Sequence, residues 1–468
     1  MVPVFQKIQF YLKLFIQAVK GDTRDFTTGS IDRAIFLLAI PMILEMVLES
    51  LFAVVDIYFV NKIGVEASST VVLTEASLTI LYSVAWGLSV GVTALVARRA
   101  GEKNFKAAST IAAQAILLGT ILSLFISIIG FFFSREILML MGATARVAEK
   151  NHLFTQIMLT GNIVIVLLFI NNAVFRGAGN ASIAMKALLI ANAINIVLDP
   201  LLILGIGPFP KMGLTGAAVA TTIGRACAVI YQLFYLLKGK ALVTIALKQF
   251  KLRINVMFMI LKTSAGGMLQ FIIGSCSWIF LAMLISESGE SAVSGYGTAI
   301  RICIFTILPA WGLANAAATL VGQNLGAHQP ERAERSVWRT AFLAFCFFAV
   351  VSVIFFLFGE QLMRFFTTDK GAVIVGTRCL SILSVGYVFF AYGMVISQAF
   401  NGAGDTSTPT YINLFVFWIL QIPLAWFLVR TLKMGPTGVY IAIAIAESTL
   451  AIISIFIFKK GKWKLVKV

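Results

Sequence analysis

Charge is scarce in this chain: only 12% of its 468 residues are Asp, Glu, Lys or Arg, against about a quarter in a soluble domain. There are 2 histidines, His152 and His328, which lie far apart beside or within polar connectors, so no imidazole cluster is available to hold a metal. The five cysteines, Cys227, Cys276, Cys303, Cys346 and Cys379, sit singly in apolar runs. That spacing excludes a disulfide framework and a zinc motif and leaves small apolar fillers. No phosphate loop of the G-x-x-x-x-G-K type occurs, which excludes that route to nucleotide binding. What fills the chain instead is apolar: 59% of residues are hydrophobic, and mean hydropathy is +0.95. A polar surface cannot cover such a chain, so it belongs in a bilayer.

The apolar runs resolve into twelve segments, centred near residues 47, 82, 120, 163, 194, 225, 270, 306, 347, 386, 420 and 447. Each reaches the length of about 20 residues needed to cross a ~30 Å hydrocarbon core as a helix. Ahead of them, Lys7, Lys13 and Lys20 interrupt "VFQKIQFYLKLFIQAVK". This pattern predicts an amphipathic helix lying on the membrane surface, neither a span nor a cleavable leader. Arg24 and Arg33 then lead into the first span. With the N-terminus inside, the inner connectors carry 25 Lys and Arg and the outer ones 10, while Arg225 and Arg301 fall within spans and complete the 37. The bias predicts that both termini are cytoplasmic in a plasma (inner) membrane. The tail "KKGKWKLVKV" then meets anionic headgroups, which accounts for the net charge of +17 without nucleic acid.

The chain also repeats itself. "FRGAGN" at 175–180 returns as "FNGAGD" at 400–405, 225 residues later. "LVARRAGEKN" at 95–104 faces "LVGQNLGAHQ" at 320–329 at the same offset, and so does Gly64 with Gly289. "MGLTGAAVA" at 212–220 matches "MGPTGVYIA" at 434–442 at an offset of 222. Six spans return a chain to its starting side, so the halves share one topology and should be related by a pseudo-twofold axis along the membrane normal. The fold expected is all-α, with twelve spans in two six-helix bundles. The two glycine turns read as tight structural turns at the inner surface, with Arg176 anchored at headgroups; a lone G-x-G with no strand before it is weak evidence for a nucleotide loop.

Chemistry is sought where ionisable groups enter the bilayer, since a carboxylate at mid-membrane costs roughly 2.5–3.5 kcal/mol on insertion scales. The first span, "AIPMILEMVLESLFAVVDIYFV", holds Glu45, Glu49 and Asp56. At about 100° per residue, Glu49 lies about 40° and Asp56 about 20° around the helix from Glu45, a stripe roughly 16 Å long. That stripe must face the bundle interior or water. Pro41, one turn earlier, predicts a hinge. In the fifth span, "ANAINIVLDP" supplies Asn192, Asn195 and Asp199; the last two share a face, and Pro200 frees the Ile196 carbonyl. Two carboxylates, an amide and a carbonyl or hydroxyl would suit Na+ as a hard-cation cage. The same carboxylate pair in a low dielectric would equally hold a proton. Glu45, Glu49 and Glu75 either extend this polar path, meet a cationic substrate, or serve polar packing.

The second half carries no acid in its seventh span, "GGMLQFIIGSCSWIFLAMLI", or its tenth, "GYVFFAYGMVISQAF". Arg225 and Glu447 are equivalent under the 222 offset, which makes contact between them one option, and Arg301 is expected to be buried in the eighth span with a partner. Trp278, Trp311 and Tyr387 either line a cleft able to grip flat cations or face lipid.

Taken together, the twelve spans, the "FRGAG" and "FNGAG" turns, "GLTGAAVAT" and the spacing from Pro41 to Asp56 resemble the multidrug and toxic compound extrusion (MATE) family over about residues 30–460. The resemblance implies two lobes forming a V-shaped cleft that exports amphipathic, often cationic, compounds against inward H+ or Na+, without ATP. It assigns 1–30 to the surface segment, 31–240 to the N-lobe, 241–255 to a basic linker, 256–460 to the C-lobe and 461–468 to the tail. Asp56, Asn195 and Asp199 match the family's N-lobe cation site, and Thr221, or less well Thr222, its sixth-span threonine. The NorM-like branch carries acids in the seventh and tenth spans, so this chain is more similar to the DinF-like branch. A monomer without other cofactors is expected. The alternative is a lipid-linked precursor flippase of the same superfamily, which would line its cleft with cations where these spans hold mostly acids. An intramembrane enzyme would need a nucleophile–base pair or metal ligands in the spans, and none is evident.

Overall fold

In the computed structural model, residues 2–21, 25–239 and 241–467 are described, without the side chains of 2–8, 53, 57 and 65; Arg24, Lys240 and the side chain of Lys7 therefore lie outside the described residues. Helix α1 (Val2–Lys20) precedes the first span, α2 (Ile31–Asn61). The N-terminal half continues with α3 (Val65–Gly101), α4 (Phe105–Leu140), α5 and α6 (Ala145–Thr160 and Asn162–Gly177, together one span), α7 (Ala181–Leu204) and α8 (Leu214–Leu237). The second half has α9 (Ile254–Ser286), α10 (Glu290–Gly326), α11 (Pro330–Phe366) and α12 (Lys370–Ala403). Its eleventh span, Ser407–Thr431, contains α13 (Ser407–Asn413) and α14 (Ile422–Trp426), and α15 (Pro436–Lys459) completes the set. The 12 spans predicted from hydropathy are all present, each at its expected centre.

The halves are related by a twofold, and the backbone contacts show it. A Cβ on Gly101 would lie 2.0 Å from the Gln323 carbonyl oxygen, and one on Gly326 would lie 2.1 Å from that of Arg98. Shifting either contact by 225 residues produces the other. The approach of Gly87 to Met268 likewise becomes that of Gly312 to Ile43, and Gly322 meets its own equivalent, Ala97. Reciprocity of this kind is the signature of a twofold interface. Because α3 and α10 run in the same direction, the axis is parallel to the spans. The paired turns obey the same rule: Gly179 and Gly404 have φ of +85° and +87°, while Gly177 and Gly402 press against the carbonyls of Thr93 and Ala318. The motif is thus a structural turn, as its composition suggested.

All these approaches lie in the halves of the spans nearest the face that carries both termini. At that face Arg332 of α11 donates to the carbonyls of Gly29, Thr28 and Phe26 at 2.9, 3.0 and 3.2 Å, and Arg98 of α3 donates to that of Val466. Phe26 and Trp463 are buried. Two spans also exchange partners. The N-terminal half of α2 packs with the second half's core, and the start of α9 packs with the first half's.

Some local features differ from expectation. Helix α1 docks Leu14 and Ala18 onto protein while Phe10, Tyr11, Phe15 and Ile16 stay exposed, so only part of its apolar surface is free for lipid. Pro41 and Pro200 lie inside unbroken helices, whereas α4 departs from helical angles at Phe133, at φ −120° and ψ 19°. Leu414–Gln421 and Phe427–Thr431 are π-helical, flanking the segment in which Pro423 has no N–H to donate.

Candidate functional site

The acidic stripe of α2 faces helices of its own half, and each acid meets a different partner. Asp56 lies nearest the C-terminal end of α2. The Thr221 hydroxyl of α8 stands 3.5 Å from Asp56 Oδ1, and Asn195 Nδ2 of α7 is 3.5 Å from the Thr221 oxygen and donates to Asp199 Oδ1 at 3.1 Å. An acid–hydroxyl–amide–acid chain therefore links three helices. Asn195, Asp199 and Thr221 are buried, and Asp56 is half-buried. Thr222 turns away and donates to the carbonyl of Ala218, so Thr221 is the sixth-span threonine at this site.

The chain is short of donors. Asn195 Oδ1 and Asp199 Oδ2 are buried without a protein hydrogen-bond partner, as is Oδ1 of neighbouring Asn192, whose amide donates to Leu188. Buried oxygen acceptors in that state are open to a donor, water included, or to a cation. Two carboxylates, an amide oxygen and a hydroxyl are hard oxygen ligands of the sort an alkali cation accepts.

Glu45 lies elsewhere. It is fully buried and accepts from Asn172 Nδ2 at 2.9 Å and Arg176 Nη1 at 3.0 Å. Arg176 also donates to Ser89 at 2.7 Å, and Gln232 donates to Asn172 at 2.5 Å. Arg176 is therefore not at headgroups: burying its guanidinium is stabilised by an ion pair with α2, which the turn motif itself does not reveal. Glu49 faces Arg225, with Oε1 3.9 Å from Nη2. This replaces the pairing of Arg225 with Glu447, whose Oε2 is buried without a partner in the other half. Glu75 is exposed on α3 within the field of Arg225 and Arg301. Arg301, expected to be buried, is itself exposed on α10.

Of the aromatics, Trp311 joins Trp86 of α3 and Phe271 of α9, with centroids 6.3 and 6.1 Å away. Trp86 and Phe271 stack at 5.3 Å across the two halves. Trp86 and Trp311 line a small cavity bounded also by Arg176, Asn315, Gln398 and Asn401. Neither Trp86 nor Phe271 was singled out from the sequence, since nothing local distinguishes them from lipid-facing rings. Tyr387 packs in the C-terminal core against Phe348 at 5.1 Å, and Trp278 is exposed away from the trio.

Two halves that meet around an axis parallel to their spans, gripping each other at one face, have the build of a two-lobed membrane carrier. The particular family follows from comparison. The MatE family profile matches residues 41–201 and again 268–427, once in each half, and the chain belongs to the MatE family. It is 25% identical to "Probable multidrug resistance protein YoeA" of Bacillus subtilis (strain 168), over 94% of this chain and 96% of that protein. It is also 25% identical to the "FAD transporter" of Shewanella oneidensis, over 86% of this chain and 89% of that protein. The crystal structure of MATE in complex with MaL6 superposes with a TM-score of 0.88 at 27% identity, covering 95% of this chain and 99% of that one.

Proposed function

We propose that the protein is a secondary active multidrug exporter that moves amphipathic, often cationic, organic compounds outward against inward H+ or Na+ by alternating access. The observation that carries this reading is the buried chain Asp56–Thr221–Asn195–Asp199 with unpartnered oxygens on two of its members. Two carboxylates on different helices, with fewer donors than oxygens in a low dielectric, lower their cost by sharing a cation. A bound ion and a cationic cargo then compete for one negative field, and that competition is a coupling free energy, the requirement for antiport. Asn192 and the Glu49 and Glu75 carboxylates extend the polar wall beside it, and Pro41 and Pro200 are the points where the helices would flex. The relatives' names support export of organic molecules, and the FAD transporter among them indicates that cargo varies within the family.

On this reading the chain acts as a monomer with both termini cytoplasmic, belongs with the DinF-like branch, and performs no covalent chemistry. The lipid-linked flippase reading is weaker, because acids outnumber arginines along the N-lobe spans. The test is uptake of a fluorescent organic cation such as ethidium into everted vesicles under an imposed pH or sodium gradient. Uptake that follows one gradient and collapses when that gradient is dissipated is expected. Uptake indifferent to both gradients would overturn the proposal.

A further inference from the structure

Arg225 is bound differently from Arg176, another buried arginine. Arg176 makes bonds of 3.0 and 2.7 Å to Glu45 and Ser89. Arg225, also buried, makes none so short: Nη2 is 3.9 Å from Glu49, Nη1 is 3.5 Å from the Tyr82 hydroxyl, and the guanidinium lies 4.9 Å over the Phe52 ring. Charge-assisted bonds settle near 2.7–2.9 Å when a partner is within reach, so this guanidinium is held loosely. It also sits one helical turn from Thr221, the residue that bridges to Asp56, and interacts electrostatically with Asp56 itself. Glu49 and Asp56 are seven residues apart on α2, two turns of one face, with Arg225 between them.

We propose that Arg225 is a tethered counter-cation that competes with the coupling ion for Asp56. This rests on the reading of Asp56 and Asp199 as the coupling site. With the ion bound, Arg225 rests on Glu49 and Tyr82. When the ion leaves, the guanidinium moves toward Asp56, so the carboxylate is never buried unpaired. Ion binding is thereby weakened enough for release on the inner side. The groups facing this region are Glu49 from α2, Glu75 and Tyr82 from α3, Asp199 from α7 and Arg301 from α10. Among them Arg225 is the buried cation. Arg225 is therefore a positioning residue, acting on cargo through the ion.

The experiment measures the ion concentration, H+ or Na+, that gives half-maximal ethidium transport in everted vesicles. A unit charge within about 10 Å at an effective dielectric near 20 changes a binding constant roughly tenfold. Arg225→Gln should thus lower the half-saturating concentration about tenfold, while Arg225→Lys, which keeps the charge, should stay near wild type. Glu49→Gln removes the resting partner and should raise it. In the Arg225→Gln background the same Glu49 change should have much less effect, because the group it acted through is gone. An unchanged half-saturating concentration in Arg225→Gln, or additive shifts in the double variant, would overturn the inference. If Arg225→Gln does not reach the membrane, an unshifted Glu49→Gln protein overturns it equally. Asp56→Asn separates the two levels: if transport by that variant still depends on the ion, the site reading itself fails; if it does not, the Arg225 result stands or falls alone.

Discussion

The two lobes share a backbone and differ in charge. Under the repeat offset, the Glu45–Arg176 ion pair of the first half becomes Gln270–Asn401 in the second, where the two amides exchange hydrogen bonds at 3.0 and 3.1 Å. Asp56 becomes Leu281 at the offset of 225, and at the offset of 222 Asp199 becomes Gln421, which accepts from Ser277 at 3.0 Å. At the offset of 222, Arg225 becomes Glu447, whose Oε2 is buried without a partner among the described residues. Every exchange alters or removes the charge. The positions where backbones touch across the axis are preserved instead. Duplication has therefore fixed how the lobes close on each other, and among the described residues the chain of linked acids lies in the first lobe.

The strongest way to break this comparison is to remove the first lobe's charge. Asp56→Asn and Asp199→Asn should each reduce gradient-driven efflux to background while the protein remains folded in the membrane. Glu447→Gln should retain most of it, since no linked polar chain surrounds that residue. Efflux assays with membrane abundance measured in parallel decide the matter. Full transport by either aspartate variant would move the coupling elsewhere, and the Glu49–Glu75 wall would be the next place to look.

A smaller effect is expected from making one lobe resemble the other. Glu45→Gln leaves the Arg176 guanidinium buried beside neutral groups, and breaking a buried pair in this way costs about 3–5 kcal/mol. The double change Glu45→Gln with Arg176→Asn recreates the amide pair of the second lobe and should recover most of that loss. Thermal unfolding in detergent tests this; a double variant no more stable than the single one would mean that Arg176 matters for reasons other than its charge.

The frame was legible in the sequence because its signals are local. Span length, insertion cost and a repeated glycine motif each need only a short window, and the stripe Glu45, Glu49 and Asp56 follows from helical angles alone. The match of Asp56, Asn195 and Asp199 to one another was legible too, since unpaired acids in a bilayer need company. Pairings across distant spans were not legible. Arg176 lies at a turn where an arginine commonly meets headgroups, and its contact with Glu45 spans 131 residues of sequence. Whether Arg225 meets Glu49 or Glu447 depends on the rotation of α8 about its axis, which composition does not encode. The kink at Phe133 and the π-helical turns of the eleventh span depend equally on packing.

The smallest predicted effect should be the same in both lobes. Gly213 and Gly435 begin the sixth and twelfth spans with nearly identical angles, φ 56° and ψ −133° against φ 57° and ψ −144°. No heavy atom crowds a Cβ built on Gly213, and the nearest to one on Gly435 is the Ser288 hydroxyl at 4.0 Å. Alanine at either position therefore meets no steric neighbour and is opposed only by a backbone conformation that L-residues avoid, at roughly 1–3 kcal/mol. Gly213→Ala and Gly435→Ala should lower unfolding stability by the same amount and leave the ion concentration for half-maximal transport unchanged. A marked inequality between them would show that the two connections carry different loads despite their common geometry. A shift in ion dependence from Gly213→Ala alone would show that the start of α8 bears on the Thr221 site through the helix backbone.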